Sequence, residues 1–110
     1  MKACVEVDGG ICGFQSTIRT EGDDSAMVTF RVESDCEKIR AFGKALEARG
    51  PVDGYEEIAA GSDGVILTTS RGVLKACCAG CVVHAAAFKA MQVAAGLALP
   101  KNATLRISSG

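Results

Sequence analysis

The chain has 110 residues, with 12 basic and 13 acidic side chains, a formal net charge of −1 at pH 7 and six cysteines. That length buries a core without help from disulfides, and residues 1–110 are expected to form a single cysteine-rich α+β domain. With no run of Lys or Arg, one Tyr and four Phe, the chain lacks the charge and the stacking surface that nucleic acid requires, so no nucleic-acid partner is expected.

The first residues, Met1 to Val7, carry Lys2 and Glu6 and have no apolar signal core. A cytoplasmic location follows as the expectation, and in that reducing compartment six cysteines point to metal binding, redox chemistry or packing instead of a disulfide framework. The stretch Ala76 to Leu99 is apolar and bilayer-long. It is rich in Ala and Gly, is interrupted by Lys89 and Gln92, and carries Cys77, Cys78, Cys81 and His84. A buried, closely packed helix is expected there and no membrane contact, because a charge inside lipid is costly.

In chain order, Ala3, Val5 and Val7 alternate with Lys2, Cys4 and Glu6, the period of a half-buried strand, and Asp8-Gly9-Gly10 turns it. Phe14, Ser16 and Ile18 mark the inward side of a second strand. Glu21-Gly22-Asp23-Asp24 leads to a third with Val28, Phe30 and Val32 inward. Ser34-Asp35-Cys36-Glu37 fits a capping box with Ser34 at the N-cap, which would place Cys36 at N2. Ile39, Phe42, Gly43 and Leu46 continue at helical spacing until Gly50-Pro51. Asp53 caps a short helix that Gly61 stops, and Val65-Ile66-Leu67 is an apolar run without a clear assignment. A long helix from Cys77 to Leu97, with a break near Gly80, carries His84, Phe88, Met91 and Ala95 on one stripe. Pro100 closes it, and Ala103, Leu105 and Ile107 alternate in a short C-terminal strand. The adjacent acids Glu56 and Glu57 read as surface charges.

The cysteines carry the chemistry. Cys12 lies between Gly10 and Gly13, where backbone amides can approach a sulfur, and Cys36 at a helix start would have its thiolate favoured and its pKa lowered. Cys78-Ala79-Gly80-Cys81 is a Cys-x-x-Cys, and Cys77 adds a neighbouring thiol at i,i+4 from Cys81. Thiolates are soft donors suited to zinc or an iron-sulfur cluster. The candidate metal ligands are therefore Cys12, Cys36, Cys77, Cys78 and Cys81, with His84 as a substitute. Cys4, on the strand face with Lys2 and Glu6, is assigned no role.

The order of three strands, a cysteine in the first turn, one at the following helix start and one before a late helix resembles the NifU/IscU-type iron-sulfur scaffold fold. The residues that carry the likeness are Cys12 in Cys12-Gly13-Phe14, Cys36 in Ser34-Asp35-Cys36 and Cys78 in Lys75-Ala76-Cys77-Cys78. The resemblance implies a three-stranded antiparallel sheet packed against helices, a cluster on those three cysteines, and a protein that donates or accepts the cluster. The chain departs from the scaffold pattern at Phe14, where an aspartate is usual, and at Cys77, where a histidine is usual. It is also similar to a small prokaryotic family sharing the Ile-Cys-Gly-Phe, Ser-Asp-Cys-Glu and Cys-Cys-Ala-Gly-Cys stretches.

These features together point to a non-catalytic scaffold or carrier binding zinc or an iron-sulfur cluster. Two alternatives stand beside it: a thiol-based sulfur-transfer or redox protein, and a structural homo-oligomer joined through the Ala-rich helix with cysteines that merely pack.

Overall fold

The alternating segments that open the chain build an antiparallel meander. In the computed structural model, which describes residues 1–110, β1 (Lys2–Asp8), β2 (Gln15–Gly22) and β3 (Met27–Ser34) pair in chain order. A two-residue strand, β4 (Val52–Asp53), pairs with the start of β3 and completes a four-stranded sheet in the order β1-β2-β3-β4. The helices are α1 (Glu37–Arg49), α2 (Gly54–Ala60), α3 (Val65–Val73) and α4 (Val83–Ala94). The class is thus α+β as expected, with one more sheet strand than the sequence suggested.

The register places Val5, Ile18 and Val32 in one inward row and Ala3, Thr20 and Phe30 in the next. On this face α4 packs over β1 and β2, α1 packs over β3, and α3 lies against both helices. Ile18, Val28, Phe42, Leu46, Ile66 and Met91 are fully buried between the layers. The outward face carries Lys2, Cys4, Glu6, Arg19, Glu21, Arg31 and Glu33, with Arg19 and Glu33 paired at 3.1 Å. Ser16 and Thr20 are the buried polar residues of β2 on the inner side, and the Thr20 hydroxyl donates to the Ala90 carbonyl at 2.9 Å, tying β2 to α4. At the same end of the sheet, side chains are excluded by contact. A Cβ on Gly22 would strike the Ala94 carbonyl, and one on Gly54 would strike the Ala95 methyl.

Several local features differ from the sequence reading, each for a physical reason. β2 begins at Gln15, one residue after Phe14, which is 43% exposed because it belongs to the turn and not to the core row. Cys36, not Ser34, is the N-cap of α1. Ser34 is held by the end of β3, from where its hydroxyl accepts from the Cys36 amide at 3.0 Å. Asp53 caps α2 as expected, accepting from the amides of Tyr55 and Glu56 at 2.9 and 3.2 Å. Val65-Ile66-Leu67, unassigned from sequence, opens α3. The break expected near Gly80 is present, with a 3-10 turn over Ala76–Gly80 before α4, and Ala76–Ala94 has the length and mean hydropathy (1.4) of a membrane span.

α4 also presents a different stripe from the one expected. Val83, Ala87, Ala90, Met91 and Ala94 are buried, while His84 and Phe88 are half-buried. Ala87, Ala90 and Ala94 are buried in the chain's own core, while Ala85 is exposed. The helix ends at Gly96, whose φ of 77° permits a Schellman closure with Leu97 N–H donating to Gln92 and Gly96 N–H to Val93, so Pro100 plays no part in stopping it. The expected C-terminal strand is absent. Residues 101–110 are exposed and form no regular structure, and no strand of the sheet pairs with them.

Glu57, read from sequence as a surface acid, is only 4% exposed. Its two carboxylate oxygens accept from the amides of Val65 and Ile66, both at 2.8 Å, so a side chain of α2 supplies the cap of α3. Replacing it leaves two amides without an acceptor. Glu57→Ala is expected to lower stability by roughly 1–3 kcal/mol in urea denaturation, with Glu57→Gln losing less because one oxygen remains.

In the β2–β3 turn the Asp23 carboxylate accepts from the Met27 amide at 3.0 Å and from the amide and hydroxyl of Ser25, both at 2.9 Å. These bonds, the Met27 amide foremost, hold its carboxyl below the usual value of 3.8. The folded value is the depressed one, so the stabilisation is complete above that ordinary value and is lost as pH falls through the lower folded value. Thermal unfolding of Asp23→Asn should accordingly show a shallower loss of Tm on acidification below about pH 4 than the unaltered chain.

Candidate thiol site

Three chain segments bring cysteines to the same end of the sheet. The first is the β1–β2 connection, where Asp8 accepts from the Gly10 amide at 2.9 Å and the Gly9 amide donates to the Phe14 carbonyl at 2.9 Å. Gly10 and Gly13, at φ values of 77° and 73°, supply the left-handed steps that close a 3-10 turn over Gly10–Cys12. The Cys12 sulfur folds back over Gly9, so close that a Cβ there would collide with it.

The second is the β3–α1 junction. Ser34 and Ser16 hydroxyls lie 2.7 Å apart, and the Asp35 amide donates to the Gln15 carbonyl at 3.2 Å, which fixes Cys36 beside the start of β2. Arg40 reaches back to the Ser34 carbonyl at 2.9 Å and sets a guanidinium next to this junction.

The third is the link from α3 to α4. Ala76 takes a left-handed conformation at φ 56°, unusual for a residue with a Cβ, and starts the 3-10 turn Ala76–Gly80. Within it the Cys78 amide donates to Lys75 and the Cys81 amide to Cys78, both at 3.1 Å.

The placement follows from register. Asp8 pairs with Gln15 and Ser16 with Ser34, so the Cys12 turn and Cys36 flank the same sheet end. The far end of α4 sits on Gly22 and Thr20, at the other end of β2. Its first residue, Val83, therefore lies at the Gln15 end, two residues after Cys81. All six cysteines are free thiols. Cys36, Cys78 and Cys81 are half-buried and pack on the hydrophobic core, whereas Cys12 and Cys77 are exposed.

The donor set is chemically right for a soft metal, yet no three His, Cys, Asp or Glu side chains are grouped closely enough to hold one. The fold gathers the loci and leaves the sulfurs ungrouped. Cys4 stands apart, on the outer face of β1 directly opposite Arg19, within an open concavity of about 550 Å³ lined also by Lys2, Glu21 and Arg31. His84, named as a substitute ligand, lines a smaller concavity of about 260 Å³ between α3 and α4 with Ser70, Arg71, Leu74 and Ala79.

Sequence reasoning found the cysteines and missed two features that place them. Glu57 fixes α3 through a carboxylate eight residues from the amide it caps, and no local motif announces such a distant cap. The left-handed Ala76 has no sequence signal, because glycine or asparagine is the usual occupant of that conformation.

No curated protein and no solved structure matches the chain. A profile described as a family of unknown function (DUF6951) matches residues 3–107, a span that contains all six cysteines, and the chain belongs to that family.

Proposed function

We propose that the chain is a non-catalytic binding protein that holds zinc or an iron-sulfur cluster through thiolates drawn from Cys12, Cys36, Cys77, Cys78 and Cys81. The observation that carries this reading is the meeting of three separate cysteine segments at one end of the sheet, with Cys36, Cys78 and Cys81 packed on a common core. Thiolates are the donors that zinc structural sites and clusters use. Because the sulfurs are not grouped as folded, binding requires closure of the glycine-flanked Cys12 turn and of the turn that follows Ala76. Metal binding commonly drives such closure and releases the thiol protons as it does so.

The NifU/IscU-like layout, with a cluster donor or acceptor protein as partner and a cytoplasmic setting, belongs to the same proposal. It rests on the order of Cys12, Cys36 and Cys78 along the chain, with Phe14 and Cys77 as the departures noted above. Protein purified without oxygen is expected to contain stoichiometric zinc by elemental analysis or to show visible sulfur-to-iron charge-transfer absorption. Cys36→Ala and Cys78→Ala should each reduce that content by at least about tenfold in affinity, the scale of losing one metal-site group. A colourless, metal-free preparation that takes up neither zinc nor iron and sulfide would refute the reading.

A second reading is supported by a specific contact: the Cys81 amide donates to the Cys78 carbonyl at 3.1 Å, closing a turn. Turn ends lie within about 7 Å at Cα, a span that a disulfide can bridge. On this reading Cys78 and Cys81 are a redox dithiol, giving two electrons and two protons to an oxidised small-molecule disulfide. Titration in a glutathione redox buffer followed by peptide mapping should then yield one intramolecular bridge, Cys78 to Cys81. Mixed products spread over all six cysteines would rule the dithiol out.

A further inference from the structure

The exposed C-terminal segment and the outer edge of β1 carry matching, unused features. Ala103, Leu105 and Ile107 alternate with Asn102, Thr104 and Arg106, a strand pattern with one apolar side. Yet every residue from Ala98 to Gly110 is exposed, with Leu99, Leu105 and Ile107 at 88%, 71% and 93%. The match to the family runs to residue 107, so this segment lies within the domain that defines it.

β1 is the edge strand on the opposite side of the sheet from β4, seven residues long and paired only with β2. It carries no proline, and its unbroken register with β2 contains no bulge to turn another strand away. Its inward row is covered only in part, with Val7 buried. Ala3 and Val5 are half-buried, whereas Ile18 and Val28 on the inner strands are at 0%, and Phe88 of α4 is half-buried on the same core. A strand added at this edge with two large apolar side chains facing α4 would complete that row.

We propose that Ala103–Ile107 of one copy adds as a strand to the β1 edge of a second copy, in a reciprocal exchange. The geometry favours a second copy over the chain's own edge. The tail leaves the fold beyond Leu97, whose side chain lies beside Gly54 at the β4 side of the sheet. Its own β1 edge lies three strand spacings away, and in the single chain the segment pairs with no strand of its own sheet. A two-fold pair satisfies the β1 edge of both copies at once. With Arg106 set opposite Glu6, in either strand direction, Leu105 and Ile107 fall on the side of Val5 and Val7.

The test is sedimentation equilibrium on the full chain, with hydrogen exchange of the β1 amides. The unaltered chain should be dimeric at micromolar concentration, with the amides of Lys2–Asp8 slowed in exchange. The double variant Leu105→Asp, Ile107→Asp should weaken the dimer at least about a hundredfold and speed those amides. Its circular dichroism should stay unchanged, since both positions are exposed in the single copy. A monomer at all concentrations overturns the proposal, as does a dimer that the double variant leaves intact. A monomer in which the β1 amides are slowed only when the tail is intact overturns it in favour of pairing within one chain.

Discussion

The Glu57 carboxylate at the start of α3 is the constraint from which the cysteine end of the molecule follows. It is held in α2, which Asp53 caps at the edge of the sheet, so the origin of α3 is set by the strand layer and not by any signal of its own. From that origin the nine residues of α3 lead to Leu74, which is buried. The chain then has only the short turn through Cys77, Cys78 and Cys81 before α4 must begin against β1 and β2. The position of three thiols is thus dictated by a carboxylate some twenty residues upstream.

The same layout divides the thiols by how firmly they are held. Cys36, Cys78 and Cys81 pack against the core, while Cys12 and Cys77 are exposed on their turns. Burial costs a thiolate its hydration, so a site at this end draws its order from the first group and its access to solvent from the second. Arg40, bonded to the Ser34 carbonyl beside Cys36, supplies a positive neighbour for that end.

Much of this was legible in the sequence where local physics governs. The alternation through Val5, Ile18 and Phe30, the helical spacing of Ile39, Phe42 and Leu46, and the caps at Asp53 and Gly61 are all short-range signals, and each appears in the fold. The clustering of glycine and cysteine around Cys12 and Cys78 marked the segments that the sheet end brings together. What could not be read depends on distant partners. Ser34 left its cap role because β3 claimed it, and α3 exists through Glu57. The face of α4 was chosen by contact with the sheet, which kept Met91 buried and moved the rest of the stripe from His84 and Phe88 to Val83, Ala87 and Ala90. The alternation of Ala103, Leu105 and Ile107 shows the reverse case, a sound local pattern for which a single chain provides no neighbour.

The glycine contacts at the opposite end of the sheet give the molecule a mechanical polarity. Gly22 against the Ala94 carbonyl and Gly54 against the Ala95 methyl leave no gap at the tail of α4, so that corner behaves as a fixed pivot. At the sulfur-bearing end Cys12, Cys77 and Cys78 are carried on 3-10 turns. Any adjustment that draws those sulfurs together is therefore a small closing of jaws about a locked heel, with the helices travelling least where they touch the sheet most closely.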